Sequence, residues 1–222
     1  MNILKRYGFY FLLIGVISDF LTPYVLGVFY PQLDQMTSVM SLFGDVDSPV
    51  RQAFLIWSVV AGCFYVLALP ALYSAFKPAS HELAGLAVLA IGAYGIGDCI
   101  FTGLFSVDSA DAQWNFSTWV HNIGSGIGYA GFLLFPLILF ILYRMKRDKQ
   151  MSRWYLILFC LSIAVAAIYG LARLPQLNQF AVFKQLGFWQ RLSFIFNYLP
   201  IVYLAMTQLK NRKSVKRSIK NI

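Results

Sequence analysis

Apolar residues run along the chain in blocks, and short polar stretches separate the blocks instead of alternating with them. A helix rising about 1.5 Å per residue needs roughly 20 apolar residues to cross about 30 Å of hydrocarbon. The pattern predicts six such helices, over residues 7–29, 51–76, 83–105, 118–143, 154–173 and 190–209. Strands of a membrane barrel would alternate apolar and polar side chains at every second position, and these blocks do not. The expectation is an all-α, polytopic helical bundle, a single integral membrane domain over residues 1–222 with a basic tail at 210–222. The first block follows Lys5 and Arg6 as a secretory signal would, but it is too long and no clean small-residue cleavage site follows, so it reads as a retained span.

Composition agrees with the pattern. Hydrophobic residues make up 59% of the chain and charged residues 12%, with a mean hydropathy of +0.65, well above the range of soluble domains. Cys63, Cys99 and Cys160 all fall inside predicted spans without CxxC spacing, and read as reduced packing residues.

Charge adds an orientation. With six spans, Lys5, Arg6, Lys77, Arg144, Lys146, Arg147, Lys149, Arg153 and the basic residues of the tail share one side, 14 of 18 Lys and Arg in all. Only Arg51, Arg173, Lys184 and Arg191 fall on the other side. The positive-inside rule then puts both termini in the cytoplasm of a cell-membrane protein. The net charge of +9 follows from this bias, and without a folded basic face and interleaved aromatics it does not predict nucleic-acid binding. Membrane lipids are the expected partners. The tail "KNRKSVKRSIKNI" is a candidate contact for anionic inner-leaflet lipids, although a solvated topology signal is the plainer reading.

The remaining polar residues converge on one level of the bilayer. Asp19 lies just past the middle of the first span, Asp98 in the outer third of the third, and His121, Asn122 and Ser125 open the fourth. Tyr169, Arg173, Arg191, Ser193 and Asn197 occupy the outer parts of the last two spans. A charge near a helix centre costs about 2.5–3.5 kcal/mol on insertion scales, so Asp19 and Asp98 are expected to face the bundle interior. Arg51, Arg173, Arg191 and His121 are the candidate partners at similar depth. Pro23 cannot donate to the carbonyl of Asp19, nor Pro200 to that of Phe196, so both positions carry a freed acceptor beside a polar side chain.

Gly126, Gly128 and Gly131 formally match a dinucleotide-binding fingerprint, but within a membrane span they lack the strand-to-helix turn that gives it meaning. They read better as packing residues. Gly124 with Gly128, and Ala93 with Gly97, form small-xxx-small pairs that predict close packing of the third and fourth spans. That packing would bring Asp98, Asp108 and His121 near one another. A lone outer histidine predicts no metal centre, and no cofactor motif is present.

Several stretches together resemble a family of multi-span membrane proteins, domain of unknown function 998. They are "SLFGDVDSPVRQAFLIWSVVAG", "GLFSVD" with Gly103, Phe105 and Asp108, then His121, and "GFWQR" with Gly187, Gln190 and Arg191. Glutamate is expected at least as often at the position of Gln190. The resemblance implies fold and membrane residence but no activity.

The leading functional expectation is a binding or transport-type protein with a polar pocket open to the extracytoplasmic side, roofed by loops 30–50 and 106–117. It would hold a lipid headgroup or small zwitterion. Candidate ligand-binding residues are Asp19, Arg51, Asp98, Asp108, His121, Arg173, Arg191 and Asn197. The alternatives are a membrane enzyme acting on lipid-linked substrates, with Asp98 or Asp108 paired to His121, and an assembly subunit whose charges fix helix register.

Overall fold

Each apolar block folds into one long helix. The computed structural model describes residues 2–110, 113–177 and 179–220, with side chains from residue 3 to 212. Among the described residues, six helices are long and apolar enough to cross a membrane. They are α1 (Asn2–Phe29), α2 (Arg51–Phe76), α3 (His81–Leu104), α4 (Phe116–Met145), α5 (Lys149–Ala172) and α6 (Leu186–Lys220). The expected boundaries hold to within a few residues, except where a helix extends beyond the apolar block. α1 takes in Lys5 and Arg6, α5 starts earlier in the basic connection, and α6 continues through Lys220. Polar residues end a hydropathy window, but they do not end a helix. The tail side chains past Arg212, on which the expected lipid contact rests, lie outside the described residues.

Sequential helices pack side by side, and α6 closes on α1, so the bundle is a ring. At one end lie the start of α1, the end of α6 and the tight connections α2–α3 and α4–α5. The longer connections α1–α2, α3–α4 and α5–α6 lie at the other, here called the loop end. The α4–α5 connection shows how the terminal end is built. Asp148 N–H donates to Tyr143 O at 3.0 Å and Arg147 N–H to Arg144 O at 3.0 Å, with Arg147 in the left-handed region at φ 59°. This capping arrangement satisfies the last carbonyls of α4. Asp148 then caps α5 by accepting from Met151 N–H at 3.0 Å, a bond of the kind worth about 1 kcal/mol. Ser80 caps α3 and Asn115 caps α4 in the same way.

The terminal-end half of the ring is filled. Phe9, Leu12, Leu72, Phe76, Leu139, Leu142, Tyr155, Leu204 and Ala205 are buried in a single cluster. Lipid tails are as apolar as these side chains, so the gain here comes from close packing rather than from leaving water. Glycines bring the backbones of α3 and α4 together as their spacing predicts. A Cβ on Gly128 would stand 2.6 Å from Asp98 N, and one on Gly131 2.7 Å from Ala90 O.

Where that contact is tightest, α3 changes form. It is α-helical over His81–Ala93, π-helical over Tyr94–Phe101, and α-helical again over Thr102–Leu104. Hydropathy carries no trace of this change.

Candidate functional site

The loop-end half of the ring is not filled. It encloses a cavity of about 290 Å³, lined from α1 by Asp19, Thr22 and Pro23, from α3 by Tyr94, Asp98, Cys99 and Thr102, and from α4 by His121, Asn122, Ser125 and Tyr129. Phe54 and Ser58 of α2, Tyr169 of α5 with Arg173 just past its end, and Gln190 and Phe194 of α6 also line it. Met40 and Ser41 from one loop and Trp114 from another reach it from above. The size is near the lower end of small-molecule pockets.

Asp19 sits among aromatic hydroxyls. Tyr94 OH and Tyr198 OH both donate to its Oδ2, the latter at 2.9 Å, and Cys99 Sγ lies 3.9 Å from the same oxygen. Among the described residues no hydrogen bond within 3.5 Å reaches Oδ1. Tyr65, whose hydroxyl lies near the same carboxylate, packs edge-on against Tyr94 with ring centroids 5.1 Å apart. The π segment supplies Tyr94, Asp98 and Cys99 together, and π segments within α-helices recur at functional sites.

Asp98 is held more simply. Ser125 of α4 donates its hydroxyl to Oδ1, leaving Oδ2 without a protein donor. Among the described residues no basic side chain comes within 4.0 Å of Asp19 or Asp98, so the ion pairs that similar depth suggested are not formed. Arg173 shares the cavity but is exposed, donating to Tyr169 OH at 2.8 Å and lying over that ring.

His121 is buried, and its Nδ1 lies 2.9 Å from Phe105 O. A carbonyl can only accept, so Nδ1 carries the proton and Nε2 is left as an acceptor. Gly103 packs its backbone against α2, where a Cβ would stand 2.5 Å from Leu55 O. The Gly103, Phe105, His121 pattern therefore docks the end of α3 and joins it to α4.

Asp19, Asp98, His121 and Arg173 are thus brought together at the cavity, whereas four other expected residues are not. Arg51 donates to Ser106 Oγ at 2.8 Å, joining the start of α2 to the α3–α4 connection. Asp108 accepts from Ala110 N–H at 3.2 Å within its own turn, its own N–H donates to Thr118 Oγ1 at 3.3 Å, and it is not among the residues that line the cavity. Asn197 is fully buried beside the cavity wall, and neither amide atom has a partner. Pro200 frees Phe196 O as expected, and Ser162 Oγ donates to it at 3.2 Å.

Arg191 is a clamp rather than a rim charge. Its Nη1 donates to Gln35 O at 2.6 Å, Ser38 O at 3.0 Å and Gly187 O at 3.0 Å. Gln190 Oε1 accepts from Met40 N–H at 2.7 Å, and Phe188 N–H donates to Met36 O at 2.9 Å. Gly187 permits the approach, since a Cβ there would stand 2.5 Å from Gln35 O. The run "GFWQR" thus ties the α1–α2 loop over the cavity. Ser109 ties the α3–α4 connection to the α1–α2 loop through Asp45.

Sequence reasoning did not single out Tyr94 and Tyr198. In an apolar run tyrosine counts as wall material, and only the fold turns these two hydroxyls onto one carboxylate. Among the described residues no group of three or more His, Cys, Asp or Glu side chains is arranged to hold a metal ion.

A model of the family described as Protein of unknown function (DUF998) matches residues 13–207, from within α1 to within α6. No curated protein and no solved structure matches the chain.

Proposed function

Because the chain belongs to the family Protein of unknown function (DUF998), multi-pass membrane proteins whose description assigns no activity, we propose a function from its own cavity: binding of a small zwitterion or lipid headgroup. The observation that carries this reading is the pair of carboxylates, Asp19 and Asp98. Each keeps one oxygen without a protein donor within 3.5 Å, inside a ring of otherwise apolar helices. A structural charge in lipid would be paired or fully hydrogen-bonded. Open oxygens suit an ammonium group, and the rings of Tyr94, Tyr129, Tyr169 and Phe194 add walls that favour a cation. Arg173 at the same cavity suits the anionic end of the ligand.

The basic bias of the terminal end supports cytoplasmic termini, with the loop end and cavity facing the extracytoplasmic side. The protein is then of the binding or transport type.

Thermal unfolding of purified protein titrated with phosphoethanolamine tests the proposal. A ligand at 100 times its Kd stabilises by about 2.7 kcal/mol, and the rise in Tm is expected to vanish in Asp98→Asn. No rise with phosphoethanolamine, choline or glycine betaine overturns it. One observation favours a second reading, an enzyme acting on lipid-linked substrates: the His121 tautomer leaves an acceptor nitrogen at the cavity. Turnover of lipid in vesicles that is lost in His121→Ala would establish it.

A further inference from the structure

The guanidinium of Arg191 is used on one side only. Nη1 makes all three contacts, two to the α1–α2 loop and one to Gly187 of its own helix, whereas Nε and Nη2 have no partner among the described residues and no contact with solvent. The side chain is 8% exposed, and among the described residues no carboxylate lies within 4.0 Å of it. Nε and Nη2 form the edge of the guanidinium whose two parallel N–H groups match a phosphate or carboxylate bidentately. A buried charge left this way is costly unless an opposite charge comes close, and Asp34 acts on it only from beyond hydrogen-bond reach.

Arg191 is also a wall residue of a small cleft between α1 and α6, with Phe20, Tyr24, Met40 and Tyr198. Phe20 and Tyr24 are exposed on the flank of the ring, where lipid would lie, so the cleft leads from the flank towards the bundle interior. Asp19, Pro23, Met40 and Phe194 line both this cleft and the main cavity. Of these four, Met40 has the long flexible side chain that can swing aside. At about 10 Å³ the cleft holds no more than about one water molecule as it stands.

We infer that the α1–α6 cleft is a side entrance for a phospholipid with an ammonium-bearing headgroup. The phosphate sits on the Nε/Nη2 edge of Arg191, the ammonium passes Met40 to the open oxygens of Asp19 and Asp98, and the acyl chains stay outside against Phe20 and Tyr24. Arg191 lies in the second turn of α6 from the loop end. The ammonium half rests on the cavity reading proposed above. The phosphate half rests on Arg191 alone.

The test uses the full chain in lipid nanodiscs and two photoactivatable probes, phosphatidylethanolamine and diacylglycerol, each with a diazirine near the glycerol. The phosphatidylethanolamine probe is expected to label peptides containing Phe20, Tyr24 and Tyr198. Loss of a charge-assisted bidentate contact corresponds to about tenfold or more, the expected fall in labelling for Arg191→Lys. Met40→Trp, which fills the passage while leaving the Met40 backbone bond to Gln190 intact, is expected to give a similar fall. It keeps the test decisive if Arg191→Lys does not fold.

Equal labelling by diacylglycerol, or unchanged labelling in a folded variant, overturns the inference. Excess phosphoethanolamine is expected to displace the label, because both headgroups use the same carboxylates, and a label that persists at a concentration saturating the Tm rise overturns the inference. A Met40→Trp variant that keeps the Tm rise but loses the label separates lateral entry of a lipid from entry of a soluble zwitterion. If labelling depends on the headgroup but phosphoethanolamine gives no Tm rise in wild type, the cavity reading fails and the phosphate site stands. The opposite pair of results removes the side entrance and leaves the cavity.

Discussion

The two halves of the ring use the same six helices and treat their interiors in opposite ways. At the terminal end, Phe76, Leu139, Leu142 and Leu204 interlock with no exposed surface, and the polar work is done by caps at the helix ends. At the loop end the same helices stand around open space, with two carboxylates, an imidazole and four tyrosines turned inward. Association in lipid depends on packing, so a half that keeps a cavity gives up cohesion that the other half must supply. The loops recover part of it through the contacts of Gln190, Arg191 and Asp45.

This division is open to test. The largest effect is expected at the glycine seam that joins the halves. Gly128→Val drives a side chain into the backbone of Asp98 and should cost near the upper end of the roughly 1–3 kcal/mol typical of overpacking, read by unfolding in mild detergent. Next comes Leu139→Ala in the filled half, expected to cost about 2 kcal/mol, the low end for buried leucine because lipid removes the transfer part of the loss. Asp98→Asn in the open half should change stability by less than about 1 kcal/mol, because it keeps the Ser125 contact and breaks no ion pair. A loss of about 3–5 kcal/mol would instead mark a buried charge that holds the bundle together, and the contrast between the halves would collapse.

The smallest effect belongs to the roof. Met36 N–H, and then the Thr37 hydroxyl, hold the exposed Asp34 carboxyl below the usual carboxylate range. A depressed carboxylate contributes stability above its unfolded pKa and loses it as pH falls through the folded one. Amide exchange in loop 34–38 should therefore speed up as pH drops below about 4, after correction for intrinsic rates. Asp34→Asn should remove that dependence.

Much of the filled half was legible in the sequence, because hydropathy reports length and composition, and small-xxx-small spacing reports close approach. The level of the polar groups was legible too, since an acid in an apolar run must turn inward. What each of them touches was not. Arg191 looked like a free rim charge because its three acceptors are backbone carbonyls, two of them in a loop more than 150 residues away. Arg51 and Asp108 looked like site residues because depth alone does not distinguish the cavity from the connections that frame it.

The π segment of α3 has a consequence for descent as well as geometry. A π turn encloses one residue more than an α turn, so losing a single residue between Tyr94 and Phe101 would let the α ladder close again. The α turns on either side would keep their facing, because the π turn is what absorbs the extra residue, while the residues of the segment itself would lose the offset that turns them inward. The carboxylate of Asp98 would leave the cavity without any change to the hydropathy of the span. A one-residue gap at this place in a related chain would therefore mark the loss of the site, even where every aspartate and tyrosine remained.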